Sequence, residues 1–280
     1  MQLNFNQIGR LPIDISRTPY GVTIYRCKVI TAGSKQQFYN YTQPQFRGFK
    51  VFRTDYTKDA EGEKSETNLQ RTRNALVLLI DANAGKYSKF ITLTFAQSEL
   101  DRKKAFDKFK QFTKDFNKMF GYPLRYVLVV EHQKKRGAKE GNDGSLHFHL
   151  VVFNESKLPF SHLKHIWGKY GSIDIKKVDS TQNLGVYMAK YLTKEEQELN
   201  KKGFTSSHNL QKPTIEYLPH NYVPHEISAF SNTYLVYNGS DDLSSQTVCN
   251  FAEYRTIQRQ PNDIVNLAQL YFGAEKVTTT

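Results

Sequence analysis

The chain has 280 residues, of which 39% are hydrophobic, so it is long enough to form one sizeable core with extensions. Its longest purely aliphatic run is far too short to cross a bilayer, its first residues contain no apolar signal segment, and its two cysteines, Cys27 and Cys249, exclude a disulfide framework or a paired-cysteine zinc site. We therefore expect an intracellular protein, and the formal net charge of +12 favours a polyanionic partner, most simply nucleic acid.

The first predicted elements are a strand and a helix separated by a polar loop. Residues 22–30 alternate in polarity as a strand does, and residues 55–68 are polar and charged. Asn68 is a suitable N-cap for a helix that runs to Ile80. The β-branched and aromatic residues over 89–95 predict the next strand, where the part of the chain with the clearest periodicity begins.

A long amphipathic helix follows this strand. Its phenylalanines recur at three- and four-residue steps, its predicted N-cap is Ser98, and Gly121 and Pro123 end it. Residues 125–131 form the next predicted strand. A basic, glycine-containing loop then leads to a strand within 144–153, and a loop of this kind between two strands suggests a hairpin.

The order of the core elements predicts the fold class. Strand, helix, strand, strand, helix, strand and helix follow one another, which is typical of an α+β fold with a central, mainly antiparallel sheet flanked by helices. The last three of these elements are a helix over 160–169, a strand over 172–178 and a helix over 182–200. The predicted domains are an N-terminal extension over 1–85 that could add strands to the core, a core over 86–205, and a C-terminal extension over 206–280, of which residues 204–280 show no strong periodicity.

Two histidines share one face of the strand that reads GSLHFHLVVF. Side chains at i and i+2 of a strand point the same way, about 6.6 Å apart, so His147 and His149 can converge on one metal ion while Phe148 faces the other side. Glu131 ends the preceding strand and would lie beside the pair in a hairpin. Two histidines and a carboxylate with open positions would hold a catalytic divalent ion. The alternatives are two ordinary strand histidines and a surface carboxylate.

Two tyrosines are the second group with chemical potential. Tyr187 and Tyr191 lie at i and i+4 of the predicted last helix, with Lys190 beside Tyr187. A tyrosine hydroxyl can attack a phosphodiester when a cation assists, and a nearby lysine stabilises the developing phenolate. A core aromatic stripe is the alternative, because tyrosine is common in this chain.

These motifs together resemble those of the HUH endonucleases. The segment from His147 to His149 resembles their His-hydrophobe-His motif, and the strand over 90–95 resembles their first motif. The segment from Tyr187 to Tyr191 is similar to the third motif, close to the paired-tyrosine version of the gene A replication proteins of small single-stranded DNA phages, and it also satisfies the single-tyrosine version of circular DNA virus and plasmid Rep proteins. The likeness covers about residues 86–205, in the same order.

The resemblance implies a rolling-circle replication initiator that nicks one DNA strand at an origin. Tyr187 would attack the scissile phosphate and leave a 5′-phosphotyrosine and a free 3′-OH. Glu131, His147 and His149 would hold Mg²⁺ or Mn²⁺. Lys190 would assist, and Tyr191 would either reverse the step at termination or only pack.

The resemblance also implies the partners. The DNA would be a single-stranded or hairpin origin in the cytoplasm of a bacterial host, and a host helicase and polymerase would be needed because the chain has no nucleotide-binding GxxxxGK[ST] motif. Three other functions stay open: a cupin-type metalloenzyme, a transposase or relaxase of the same superfamily, and a non-catalytic nucleic-acid-binding protein. The basic loop before the histidines would contact phosphates, unless it is merely a solvated loop, through Lys134, Lys135, Arg136 and Lys139.

Overall fold

The structure, a computed structural model, describes residues 23–47, 66–133, 145–153, 158–176, 184–192, 203–219, 233–244 and 247–256. These residues form an α+β fold with two five-stranded antiparallel sheets and four helices, which confirms the predicted fold class. Within them, no helix is both long and apolar enough to span a membrane. The strands are β1 (Thr23–Ala32), β2 (Lys35–Arg47), β3 (Lys89–Phe95), β4 (Tyr126–Gln133), β5 (Ser145–Val152), β6 (Gly171–Lys176), β7 (Thr205–Ser206), β8 (Thr214–Leu218), β9 (Thr233–Ser244) and β10 (Thr247–Thr256), and the helices are α1 (Glu66–Asp81), α2 (Arg102–Phe120), α3 (Phe160–Trp167) and α4 (Leu184–Ala189).

The chain divides into two compact units, and the first unit contains both ends of the chain. It comprises residues 1–49 and 215–280, and its sheet has the strand order β8-β1-β2-β10-β9. Strands from the two ends therefore pair directly, since β2 lies between β1 and β10. One face of this sheet carries a small apolar core formed by Cys27, Val29, Phe38, Ala252 and Tyr254.

The second unit, residues 50–214, contains the sheet that carries the two histidines. Its strand order is β6-β3-β5-β4-β7, and β5 is buried along its whole length. The phenylalanine stripe of α2 and the apolar side of α3 pack on one face around Phe148. Helices α1 and α4 pack on the other face around Phe90 and Val151. Because alternate residues face opposite sides, His147 and His149 lie on the face that carries α1 and α4.

Three predicted helix boundaries are wrong, and each has a local reason. Helix α2 begins after Asp101 rather than Ser98, because the Asp101 carboxylate accepts hydrogen bonds from the N–H groups of its first turn. Asn68 is not a cap, since α1 already begins at Glu66. Helix α4 ends at Ala189, and the residues that follow it form a turn; the rest of the predicted helix, residues 193–200, lies outside the described residues.

Candidate active site

The histidine strand β5 lies between β3 and β4, so each histidine has a neighbour on both sides. His147 is paired with Glu131 on β4 and with Thr94 on β3. His149 is paired with Thr92 on β3. Both imidazoles are buried. The β4–β5 pairing is antiparallel, as the hairpin prediction requires, and it brings the three predicted metal ligands to one face of the sheet.

Glu131 reaches diagonally to the second histidine. Its Oε2 lies 2.6 Å from Nε2 of His149, and Oγ1 of Thr92 lies 3.3 Å from Nδ1 of the same ring. Burial lowers the pKa of His149, the contact with Glu131 opposes this effect, and the charge of Lys176 adds to it. A neutral ring donates from Nε2 to the carboxylate and accepts from the threonine hydroxyl at Nδ1. The two contacts therefore fix the orientation of the imidazole.

The two tyrosines lie at the end of α4 and in the turn that follows it. Tyr187 belongs to the helix, whereas Lys190 and Tyr191 lie in a turn closed by hydrogen bonds that span three residues, such as Tyr191 N to Met188 O at 3.2 Å. The turn keeps both rings on one side, with their hydroxyl oxygens 3.1 Å apart. Lys190 is exposed, and its Nζ lies 5.6 Å from the centre of the Tyr187 ring.

The rings of the tyrosines pack directly on the histidine face. Tyr191 stacks on His149 with ring centroids 3.7 Å apart and an angle of 22° between the rings. Phe90 is buried beneath them and makes an edge contact with Tyr187 at 5.0 Å. Burial raises the pKa of Tyr191, and the hydrogen bond with Tyr187 raises it further. The Tyr191 hydroxyl is therefore protonated near neutral pH.

Helix α1 holds the tyrosine turn in place through two residues that sequence reasoning missed. Arg73 donates from Nε and Nη2 to the carbonyl oxygen of Leu192, at 3.1 and 2.7 Å. Gly185 lies against α1 so closely that a Cβ there would sit 3.0 Å from Val77 Cα. A glycine inside a helical pattern is a signal of close packing, and it could have indicated Gly185. Nothing local distinguishes Arg73 from the other basic residues of its helix.

The structure also adds residues to this face and leaves some predicted ones untested. Asp174, on the edge strand β6, pairs with Thr92 and is exposed, so a further carboxylate lies on the histidine side of the sheet. No local signal distinguishes this aspartate in the sequence, because its position follows only from the β3–β6 pairing. The predicted phosphate-contacting residues lie outside the described residues; they are Lys134, Lys135, Arg136 and Lys139.

The donor set formed by Glu131, His147 and His149 fits a divalent ion in its chemistry. It combines two buried imidazoles with a half-exposed carboxylate, and the 2.6 Å contact between Glu131 and His149 brings two of the donors together. Over the described ranges, no three or more His, Cys, Asp and Glu side chains are grouped as a complete metal site. The side chain of Glu131 or of a histidine would therefore have to turn towards a bound ion.

A sheet face with a histidine pair and a carboxylate beneath two tyrosines is suited to chemistry on phosphodiesters. In agreement with this class, residues 88–196 match a family model of replication-associated proteins, those of the ORF2 type. The match covers less than half of the 280 residues, but it includes both histidines, Glu131 and both tyrosines of the site. No curated protein and no solved structure matches the chain. The chain is thus similar to replication-associated proteins, which suggests a replication initiator.

Proposed function

We propose that this chain is a rolling-circle replication initiator that nicks and joins single-stranded DNA at an origin through a 5′-phosphotyrosine. The observation that supports this most directly is the stack of Tyr191 on His149, at 3.7 Å, because it unites the tyrosine pair and the histidine pair in one site. The family match over residues 88–196 supports the role in replication. The net charge of +12 suits a DNA partner.

Tyr187 is the proposed first nucleophile. Its hydroxyl oxygen bonds to the scissile phosphorus, the bond from phosphorus to the 3′ oxygen breaks, the tyrosine proton leaves, and the 3′ oxygen takes up a proton. Tyr191 stays protonated and can donate to the Tyr187 oxygen, 3.1 Å away, as that oxygen develops negative charge. Lys190 adds a positive charge on the same side. Attack by a 3′-OH on the phosphotyrosine reverses the step and rejoins the strand.

His147, His149 and Glu131 are the proposed ligands of Mg²⁺ or Mn²⁺. When bound, the ion would polarise the scissile phosphate. Burial keeps the pKa of His149 below its ordinary value, so the ring is neutral at pH 7, the form in which imidazole binds metals. Thr92 holds the ring by its other nitrogen, as residues behind metal ligands commonly do.

The proposed partners are an origin, single-stranded or hairpin, and a host helicase and polymerase in the bacterial cytoplasm. A free 3′-OH at the nick would prime the polymerase. Within this proposal, the basic loop that precedes β5 contacts the phosphates of the origin strand.

The test is a search for a covalent protein–DNA adduct on a denaturing gel. The full chain is mixed with candidate origin hairpins or a pool of single-stranded oligonucleotides and Mn²⁺. We expect an adduct that is lost with EDTA, with Tyr187→Phe and with the double substitution of His147 and His149 by alanine. Tyr122→Phe is the matched control, since this tyrosine is exposed in the same unit and far along the chain from the histidine face.

The other outcomes separate the remaining functions. Loss of the adduct only with Tyr191→Phe would exchange the roles of the two tyrosines. Joining of two distinct element ends would indicate a transposase or relaxase. Binding without an adduct on any substrate would refute the nicking proposal and leave a nucleic-acid-binding protein. Metal-dependent activity on a small molecule without DNA would favour a cupin-type enzyme.

A further inference from the structure

A row of aromatic rings crosses the sheet of the first unit on the face opposite its apolar core. The row consists of Tyr39 on β2, Phe251 on β10 and Tyr237 on β9. The centroids of Tyr39 and Phe251 are 5.0 Å apart, and those of Phe251 and Tyr237 are 5.7 Å apart. The Nζ of Lys28, on β1, lies 3.9 Å from the centre of the Tyr39 ring. Four adjacent strands thus contribute one cation and three rings to one surface.

This aromatic row lines an open cavity. The cavity has a volume of about 520 Å³, within the range of ligand sites. Gly239 stands opposite Phe251 in the β9–β10 ladder, so no side chain of the outer strand covers the middle ring. Tyr237 is 60% exposed. Asp241 lies at the far end of the cavity from Lys28 along the β2–β10–β9 rows.

The surface has the chemistry of a stacking site rather than of a core. The core of this sheet lies on the other face, around Phe38 and Tyr254, so the aromatic row is not needed to complete it. Aromatic rings beside a cation bind unpaired bases of any sequence, because each base offers a π face and each nucleotide a phosphate. Asp241 would repel a ligand that offered phosphates alone.

We propose that the aromatic row and Lys28 bind an unpaired strand of DNA, with the bases stacked on the rings and the phosphates on the Lys28 side. All four residues lie outside residues 88–196, the segment that matches the replication-associated family. The site therefore acts independently of the nicking chemistry and needs no metal ion. In a chain with a net charge of +12, such a site would hold a single strand in addition to the one at the tyrosines.

The first measurement is the affinity of the full chain for a fluorescein-labelled oligothymidylate, by anisotropy in EDTA. We expect Tyr237→Leu, which keeps apolar bulk but removes the ring, to weaken binding about tenfold, and Tyr237→Phe to bind as the native chain does. Asn238→Ala is the matched control, because this exposed residue is the next on the same strand and pairs with Ala252 of the core face. Lys28→Gln should reduce the slope of log affinity against log salt by about 0.7, and Asp241→Asn should strengthen binding.

The second measurement locates the strand, because the tyrosine site also binds DNA in the proposed function. Iodouracil-substituted oligonucleotides are crosslinked to the native chain, and the crosslinked peptides are identified by mass spectrometry. We expect crosslinks at the aromatic row. Adduct formation by Tyr237→Leu at saturating origin DNA should equal that of the native chain, so a failure of this site and a failure of the nicking proposal are distinguishable.

Three results would overturn the proposal. One is that Tyr237→Leu binds oligothymidylate as tightly as the native chain, with crosslinks confined to residues 88–196. Another is that a duplex competes as well as a single strand, since charge alone would then explain the binding. The third is that Tyr237→Leu dissociates a dimer without changing DNA affinity, which would assign the surface to a second copy of the chain.

Discussion

Arg73 offers a direct test of how the tyrosine turn is positioned. Its guanidinium donates two hydrogen bonds to the carbonyl oxygen of Leu192, a residue that is 1% exposed. A buried acceptor that loses its partner costs about 1–3 kcal/mol, and the half-buried position of Arg73 admits some water, so we take about 1–2 kcal/mol. If this cost falls on the docked state of the turn, Arg73→Met should slow adduct formation about five- to thirtyfold, because about 1.4 kcal/mol corresponds to a factor of ten.

The assay is single-turnover adduct formation with saturating DNA, accompanied by thermal unfolding. Arg71→Met is the matched control: it removes the same charge from the same helix at an exposed position two residues away. Equal rates for the two variants would refute the reasoning: if both match the native chain, the turn does not depend on the contact with Leu192. An equal loss in both would attribute the effect to the charge of α1 rather than to the two hydrogen bonds.

Two further predictions concern packing and pH. Gly185→Ala places a Cβ 3.0 Å from Val77 Cα and should destabilise the fold by about 1–3 kcal/mol, whereas Gly85→Ala, with nothing within 4 Å, should not; similar unfolding midpoints in urea would contradict the close packing of α4 on α1. In EDTA, the native chain should lose more stability between pH 7.5 and 5.5 than His149→Gln. The pKa of His149 is lowered in the folded state, so below its ordinary value of 6.5 the unfolded chain takes up the proton first, and stability falls by up to about 1.4 kcal/mol per pH unit. A native chain that is no more acid-sensitive than the variant would contradict the lowered pKa.

Short-range patterns were enough to predict most elements of the second unit. The phenylalanine stripe predicts α2, and the β-branched run predicts β3 with the bounds that the structure has, Lys89–Phe95. Both signals come from residues within one element. Helix starts were less predictable, because an N-cap depends on which side chain reaches the first N–H groups, and Asp101 does so in place of Ser98.

The sheet of the first unit could not be predicted in this way. Its strands pair residues that are more than 200 positions apart, such as Tyr39 with Phe251. Strand β9 contains Asn238, Gly239 and two aspartates, residues that favour turns, yet it continues as a strand because β10 pairs with it along its length. A local pattern contains no information about such pairing. The aromatic row follows from this topology and was equally hidden.

At the candidate active site, the sequence identified the reactive groups but not their supports. The spacing of His147 and His149 and of the two tyrosines is local, so it is visible in the sequence. Phe90, Thr92 and Arg73 act across the fold, and no spacing rule connects them to the groups that they touch. Residues that hold a site together are therefore the ones for which a structure is needed.

The same supports make the two tyrosines unequal, although the sequence presents them as a matched pair. Tyr191 lies in the turn, its ring is held against His149, and its raised pKa keeps its hydroxyl protonated. A side chain held in this way is a better hydrogen-bond donor than a nucleophile. Tyr187 makes only an edge contact with Phe90, has Lys190 beside its ring, and accepts the proton that Tyr191 offers. This asymmetry supports Tyr187 as the first nucleophile. It also implies that Tyr191 could attack in a later step only after its ring leaves His149, so the two transfers would require different conformations of the turn.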